Sequence, residues 1–147
     1  MRQAAWIGAG LIVVSGSDDR TEPGSAGPVQ STSPFGLRIV DTTGWTVWTL
    51  DTTAFSFSQT GEFLVALRDE PWTIAVYTPS RLVFRRALTP GSRLDTAGGR
   101  IYVTLGNEYR RHRVRVVEAR TGTVLGTSST PGWLFPLNRK SPASCWC

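Results

Sequence analysis

The sequence predicts an all-β protein made of repeated units of short strands, and three observations carry that expectation. β-Branched residues dominate the composition, with 18 Thr, 13 Val and 5 Ile against one Lys and one Met. Such side chains fit a pleated surface and lose rotamer freedom in a helix. The 15 Gly and 9 Pro are scattered between short apolar runs, as strands joined by turns require. The runs also recur: 38 residues separate Gly61 from Gly99, and 40 separate Val76 from Val116.

Taken in order, each unit opens on a run that follows a small or Gly-containing turn. These runs are Gly10-Leu11-Ile12-Val13-Val14, Gly61-Glu62-Phe63-Leu64-Val65 and Gly99-Arg100-Ile101-Tyr102-Val103. Short, almost wholly apolar runs are strands buried on both faces. A second strand follows at Leu37–Asp41, at 74–78 and at 114–118, then a turn, then a third strand at 46–50, 82–88 and 123–127. Between units sits a fourth element. Ala54-Phe55-Ser56-Phe57 precedes Ser58-Gln59-Thr60-Gly61, and Ser92-Arg93-Leu94-Asp95 precedes Thr96-Ala97-Gly98-Gly99. Phe55 and Phe57 alternate with Ser, the period of a half-buried strand. Asp41 and Glu118 each end a strand before a turn containing Thr and Gly. An acidic side chain there accepts hydrogen bonds from turn N–H groups, so both read as turn caps rather than ligand contacts.

Four short strands per unit at this spacing are the pattern of a β-propeller blade. The pattern of strand, acid, Thr-Gly turn, strand and then Phe55-Ser56-Phe57-Ser58-Gln59-Thr60-Gly61-Glu62-Phe63-Leu64 resembles WD40-like and YVTN-like repeats over about residues 8–135. The Gly-His and Trp-Asp dipeptides of true WD40 repeats are absent. The resemblance implies antiparallel four-stranded blades in a partial ring of about three. The strand of Phe55 and Phe57 would be innermost, that of Arg85 and Arg86 outermost, with Arg115 also toward the outside. A ring needs about four blades or more, so the chain reads as a fragment of a longer propeller in preference to a truncated product or a subunit that closes with another copy. Residues 36–137 are then the blades and 138–147 a tail.

The N-terminus has two readings. The run from Ala4 to Val14 follows Arg2 and precedes Ser15-Gly16-Ser17, as in a secretory signal; Ser17 stands where a lipoprotein site needs Cys. Alternatively, residues 1–16 contain the buried strand of the first blade, in register with Gly98 onward. The chain is cytoplasmic on the second reading and extracytoplasmic on the first. The run is too short to span a membrane as a helix. Residues 17–35, rich in acids, Gly, Ser and Pro, read as a flexible loop or linker.

Candidate chemistry is sparse. The single histidine, His112, lies within Arg110-Arg111-His112-Arg113, where three cations oppose its protonation and no carboxylate orients it. Asp18-Asp19 and Asp69-Glu70 are adjacent residues, which point to opposite faces of a strand and are not arranged for acid–base work. Cys145 and Cys147 are too close for an unstrained disulfide, and with no nearby His they make no zinc site. No catalytic residue, cofactor or metal is therefore expected. Residues 81–120 hold ten Arg against three acids, whereas residues 1–80 hold four against eight. That block reads as solvated surface, with nucleic acid a weaker alternative. Of the six Trp, Trp45 stands out at a turn whose counterparts, Arg81 and Gly122, are not aromatic. The expected function is a non-catalytic binding scaffold for a protein or peptide, with Trp45, Arg110, Arg111 and Arg113 as its candidate surface and self-association through open blade faces, which would expose Ile101 and Val103 or their counterparts Ile12 and Val14. An exported sensor or solute-binding domain, or part of a propeller enzyme whose active centre lies elsewhere, are the alternatives.

Overall fold

The computed structural model describes residues 2–69, 71–105 and 112–130. These residues form no helix, and 74% of them are strand. Three antiparallel sheets follow one another along the chain. The first contains β1 (Arg2–Gly8), β2 (Leu11–Gly24), β4 (Leu37–Asp41) and β5 (Thr46–Asp51), in the order β1-β2-β4-β5. The second is a simple meander of β6 (Ser56–Thr60), β7 (Phe63–Asp69), β8 (Trp72–Thr78) and β9 (Arg81–Ala87). The third repeats it with β10 (Arg93–Ala97), β11 (Arg100–Leu105), β12 (His112–Glu118) and β13 (Val124–Thr130). The leading strands approach one another across the sheets, β6 lying beside both β1 and β10.

Two apolar clusters hold the sheets together. Val13, Leu37 and Ile39 of the first sheet pack on Leu64, Ala66, Ala75 and Tyr77 of the second. Phe63, Val65, Ile74 and Val76, on the opposite face of the second sheet, pack on Ile101, Val103 and Val117 of the third. The middle sheet is thus covered on both faces, which is why its residues 63–66 and 74–77 are continuously buried instead of alternating.

The register of the leading hairpins fixes which residues are equivalent. Each closes on a pair flanking a two-residue turn: Gly8 with Leu11, Thr60 with Phe63, and Ala97 with Arg100. Ile12, Leu64 and Ile101 therefore share one position, paired in turn with Val40, Tyr77 and Val117. Leu64 and Tyr77 face the preceding sheet, and so do Ile101 and Val117. This corrects the equivalence of Gly61 with Gly99, since Gly61 matches Gly98. It also corrects an expectation about the bare faces. Ile101 and Val103 are fully buried against the second sheet, and the outward-facing set of the third sheet is Tyr102, Val114 and Val116, all half-buried. Ile12 and Val14 do lie on the uncovered face of the first sheet, beside Trp6, which is 59% exposed.

At the N-terminus the structure builds the strand of the two readings: Ala5, Ile7 and Leu11 pack against the first cluster. The segment 17–35 differs from the loop expected there. β2 continues to Gly24 and pairs with β3 (Gly27–Pro34) from Ser17–Pro34 to Gly24–Gly27, forming a hairpin arm. Its composition still shows, because from Asp19 to Pro34 every residue is exposed. At the base of the arm the Phe35 ring lies under the guanidinium groups of Arg2, 4.6 Å away, and Arg38, 4.1 Å away. Arg2 also pairs with Asp18 at 2.7 Å. β9 forms the edge of its sheet as expected, but Arg115 lies on the inner strand β12 and is half-buried. Residues 131–147, with Cys145 and Cys147, lie outside the described residues. No helix of the described residues is long and apolar enough to cross a membrane.

Candidate functional site

The β4–β5 turn is built around one carboxylate. Asp41 Oδ1 accepts from the Thr43 amide at 2.9 Å, the Thr43 hydroxyl at 2.6 Å and the Trp45 amide at 3.1 Å. The Thr43 hydroxyl, with these amides, holds the Asp41 carboxyl below the usual carboxylate range. Glu118 accepts from the Thr121 hydroxyl at 2.5 Å in the matching turn. Asp41 is therefore the turn cap that the sequence indicates, whereas the Glu118 carboxylate meets the Thr121 hydroxyl instead of a turn amide. The cap has a consequence for Trp45, whose amide is tied down while its side chain stands 76% exposed. Exposed Val47 is nearby in sequence. Trp48, one residue further, donates from its indole Nε1 to the Pro79 carbonyl at 2.9 Å and so latches the outer strand of the first sheet to the second.

A second carboxylate lies deep between the same two sheets. Asp51 Oδ1 accepts from the Thr53 amide at 2.8 Å, the Thr53 hydroxyl at 3.0 Å and the Ala54 amide at 3.1 Å. Its Oδ2 accepts from the Tyr77 hydroxyl at 2.7 Å. Arg68 Nε stands 3.5 Å from Oδ1 and donates to the Thr53 hydroxyl. Burial alone pushes the Asp51 carboxyl up, but the Tyr77 and Thr53 hydrogen bonds and the Arg68 charge outweigh it and leave it below the usual range. Burial, and then the Asp51 hydrogen bond, push the Tyr77 phenol up, against the opposing influence of Arg85. The carboxylate thus stays charged and the phenol stays protonated. Both oxygens are engaged, and through them the carboxylate joins the two sheets.

The sequence-derived surface is only partly assembled. Trp45 lies in the turn that Asp41, the last residue of β4, caps, and the equivalent end of β12 is Glu118. Arg113, exposed, is the second residue of β12, at the other end, roughly 17 Å along the strand. The two therefore lie at opposite ends of the stacked sheets. Arg110 and Arg111 fall outside the described residues. His112 opens β12. Among the described residues no group of three His, Cys, Asp or Glu is placed to hold a metal. Sequence reasoning passed over Asp51 and Tyr77, although a signal was present. Asp51-Thr52-Thr53 repeats Asp41-Thr42-Thr43, and each Asp caps the Thr two residues on.

Fold and site define an all-β protein of three packed antiparallel sheets with an exposed tryptophan on a capped turn. Comparison with protein-family models, with curated proteins and with solved structures finds no match.

Proposed function

We propose that the chain is a non-catalytic scaffold of β-propeller type that binds a protein or peptide. The observation that carries this is the front-to-back stacking of equivalent faces. Val13 and Ile39 receive Leu64 and Tyr77, and Val65 and Val76 receive Ile101 and Val117. Radially repeated blades pack in this sense, and the closeness of β6 to both β1 and β10 supports an inner edge common to the three sheets. Scaffolds of this kind bind through side chains carried on the turns of a rigid frame. Trp45 fits that role, because an exposed indole on a backbone anchored by Asp41 offers a large contact area with only two side-chain torsions to order. The described carboxylates with several donors are spent on caps and on the sheet junction, which favours binding over catalysis.

The test pairs structure with binding. Methyl cross-relaxation should be seen between Val13 and Leu64 and between Val65 and Ile101; its absence would remove the blade reading. Peptides selected from a random display library should lose affinity on Trp45→Ala while the melting temperature stays within about 1 °C. Binders indifferent to that substitution would reject the turn as the contact surface.

A further inference from the structure

The three outer strands share a bulge at one place. The ladder shifts register between Val40 and Ile39 where β4 meets β5, between Tyr77 and Val76 where β8 meets β9, and between Val117 and Val116 where β12 meets β13. These positions are equivalent, since Val40, Tyr77 and Val117 pair with Ile12, Leu64 and Ile101. At or beside each bulge an apolar side chain stands exposed: Val47 in β5, Leu82 in β9, and Val124 and Leu125 in β13. Two contacts hold the outer strands side by side. Trp48 donates to the Pro79 carbonyl, in the turn before β9, and Arg86 donates to the Gly122 carbonyl, in the turn before β13. The exposed side chains therefore form one row across the sheets, with Trp45 at its start.

The row is flanked by positive charge. The outer strands carry Arg81, Arg85 and Arg86 against one acid, Asp51. Asp51 is buried, with Arg68 3.5 Å away. Arg81 and Arg85 are exposed, on either side of Leu82 along β9. The acids that end β4 and β12, Asp41 and Glu118, are engaged by the Thr43 and Thr121 hydroxyls. We propose that this rim docks an acidic amphipathic helix of another protein, which rests on the binding reading above and specifies its partner. Exposed apolar rows of this kind mark association surfaces. The bulges decide the shape of the occupant, because they twist the edge away from an added strand. A helix meets no such obstacle. Stacked sheets lie about 10 Å apart, and residues seven apart on a helix face are about 10.5 Å apart. A helix laid across the outer strands thus sets one apolar residue against each sheet in turn, while acids on its flanks face Arg81 and Arg85.

The probes are synthetic peptides of about 16 residues, long enough at about 24 Å to cross all three outer strands. One carries Leu at the i, i+3, i+4 and i+7 spacing on one face and Glu on the other. A second replaces every Glu by Lys, and a third scrambles the order of the first. Binding to the full chain is read by fluorescence anisotropy. The Glu peptide should bind with a Kd on the order of 10 μM, and the Lys and scrambled peptides at least about 10-fold more weakly. Arg81→Glu and Leu125→Asp should each weaken the Glu peptide on the order of 10-fold. Arg93→Glu makes the same charge change on β10, at the opposite edge of its sheet, and should leave binding within about 2-fold. All three positions are exposed, so melting temperatures should stay within about 1 °C of the wild type. No binding of the Glu peptide, equal binding of either control peptide, or an equal effect of Arg93→Glu would overturn the inference. Display-selected peptides that lose affinity on Trp45→Ala but not on Arg81→Glu would leave the binding scaffold in place and overturn the acidic partner.

Discussion

Replacing Tyr77 by Phe removes one oxygen from the junction of the first two sheets and little else, since the ring keeps its place in the cluster with Leu64 and Ile39. The Tyr77 hydroxyl is the donor to Asp51 Oδ2, at 2.7 Å. Asp51 is buried, so water does not readily replace that donor. A hydrogen bond to a charged group contributes about 1.5–3 kcal/mol, and a buried acceptor left unpaired costs about as much. The expected loss is therefore about 2 kcal/mol, or a fall in the urea midpoint of about 1 M for a protein of this size. The effect carries a pH signature. Asp51 has a folded pKa below its unfolded value, so its contribution is complete above about pH 4 and is lost as pH falls through the folded value. Wild type and Tyr77→Phe should differ most at pH 7, and the difference should shrink as pH falls below about 4. A midpoint shift under about 0.2 M at pH 7, or one that does not shrink as pH falls below about 4, would refute the claim that a charged carboxylate pins the sheets.

Other substitutions probe other parts of the frame. Gly122 has φ of +74°, and a Cβ there would meet the Phe84 ring at 3.0 Å; Gly122→Ala should lower stability by about 1–3 kcal/mol in chemical denaturation. Ala9 has φ of +51° in the β1–β2 turn, where the equivalent residues are Gly61 and Gly98. Ala9→Gly should raise the melting temperature, by relieving about 1 kcal/mol of left-handed strain. Val65 is fully buried between the second and third sheets. Val65→Asp should leave no cooperative unfolding transition, since a lone buried carboxylate costs several kcal/mol, of the order of the whole stability margin; a retained transition would show that this face is wet.

The fold was largely legible because its signals are local. β-Branched runs, two-residue Gly turns and period-2 alternation specify hairpins one at a time, and the three meanders follow from them. The faces were harder to read. Equating Gly61 with Gly99 instead of Gly98 is a slip of one residue, and in a strand one residue exchanges inside and outside. It put Ile101 and Val103 on a bare face when they are the covered ones. The arm was missed because polar residues with Pro and Gly carry no apolar period, and its pairing shows only as backbone register. Of the candidate site, Trp45 was legible from contrast with its counterparts, and Asp41 from its turn. Asp51 and Tyr77 are 26 residues apart, and nothing in local pattern says that they meet. What the sequence did contain was the repeated Asp-Thr-Thr, whose second copy caps its turn with one oxygen and leaves the other for the neighbouring sheet.

The hairpin arm makes the first sheet a natural port for cargo. It leaves and rejoins the frame through neighbours, since the Phe35 amide donates to the Gly16 carbonyl at 2.8 Å. Its ends therefore stay together whatever lies between them, and no residue from Asp19 to Pro34 contributes to either apolar cluster. Lengthening a connection already closed at its base adds only about 0.6 kcal/mol per doubling. Drift in length and content at this point can proceed without disturbing the packed sheets, and an epitope or small domain spliced between Gly24 and Gly27 would be carried on a stalk clear of the body.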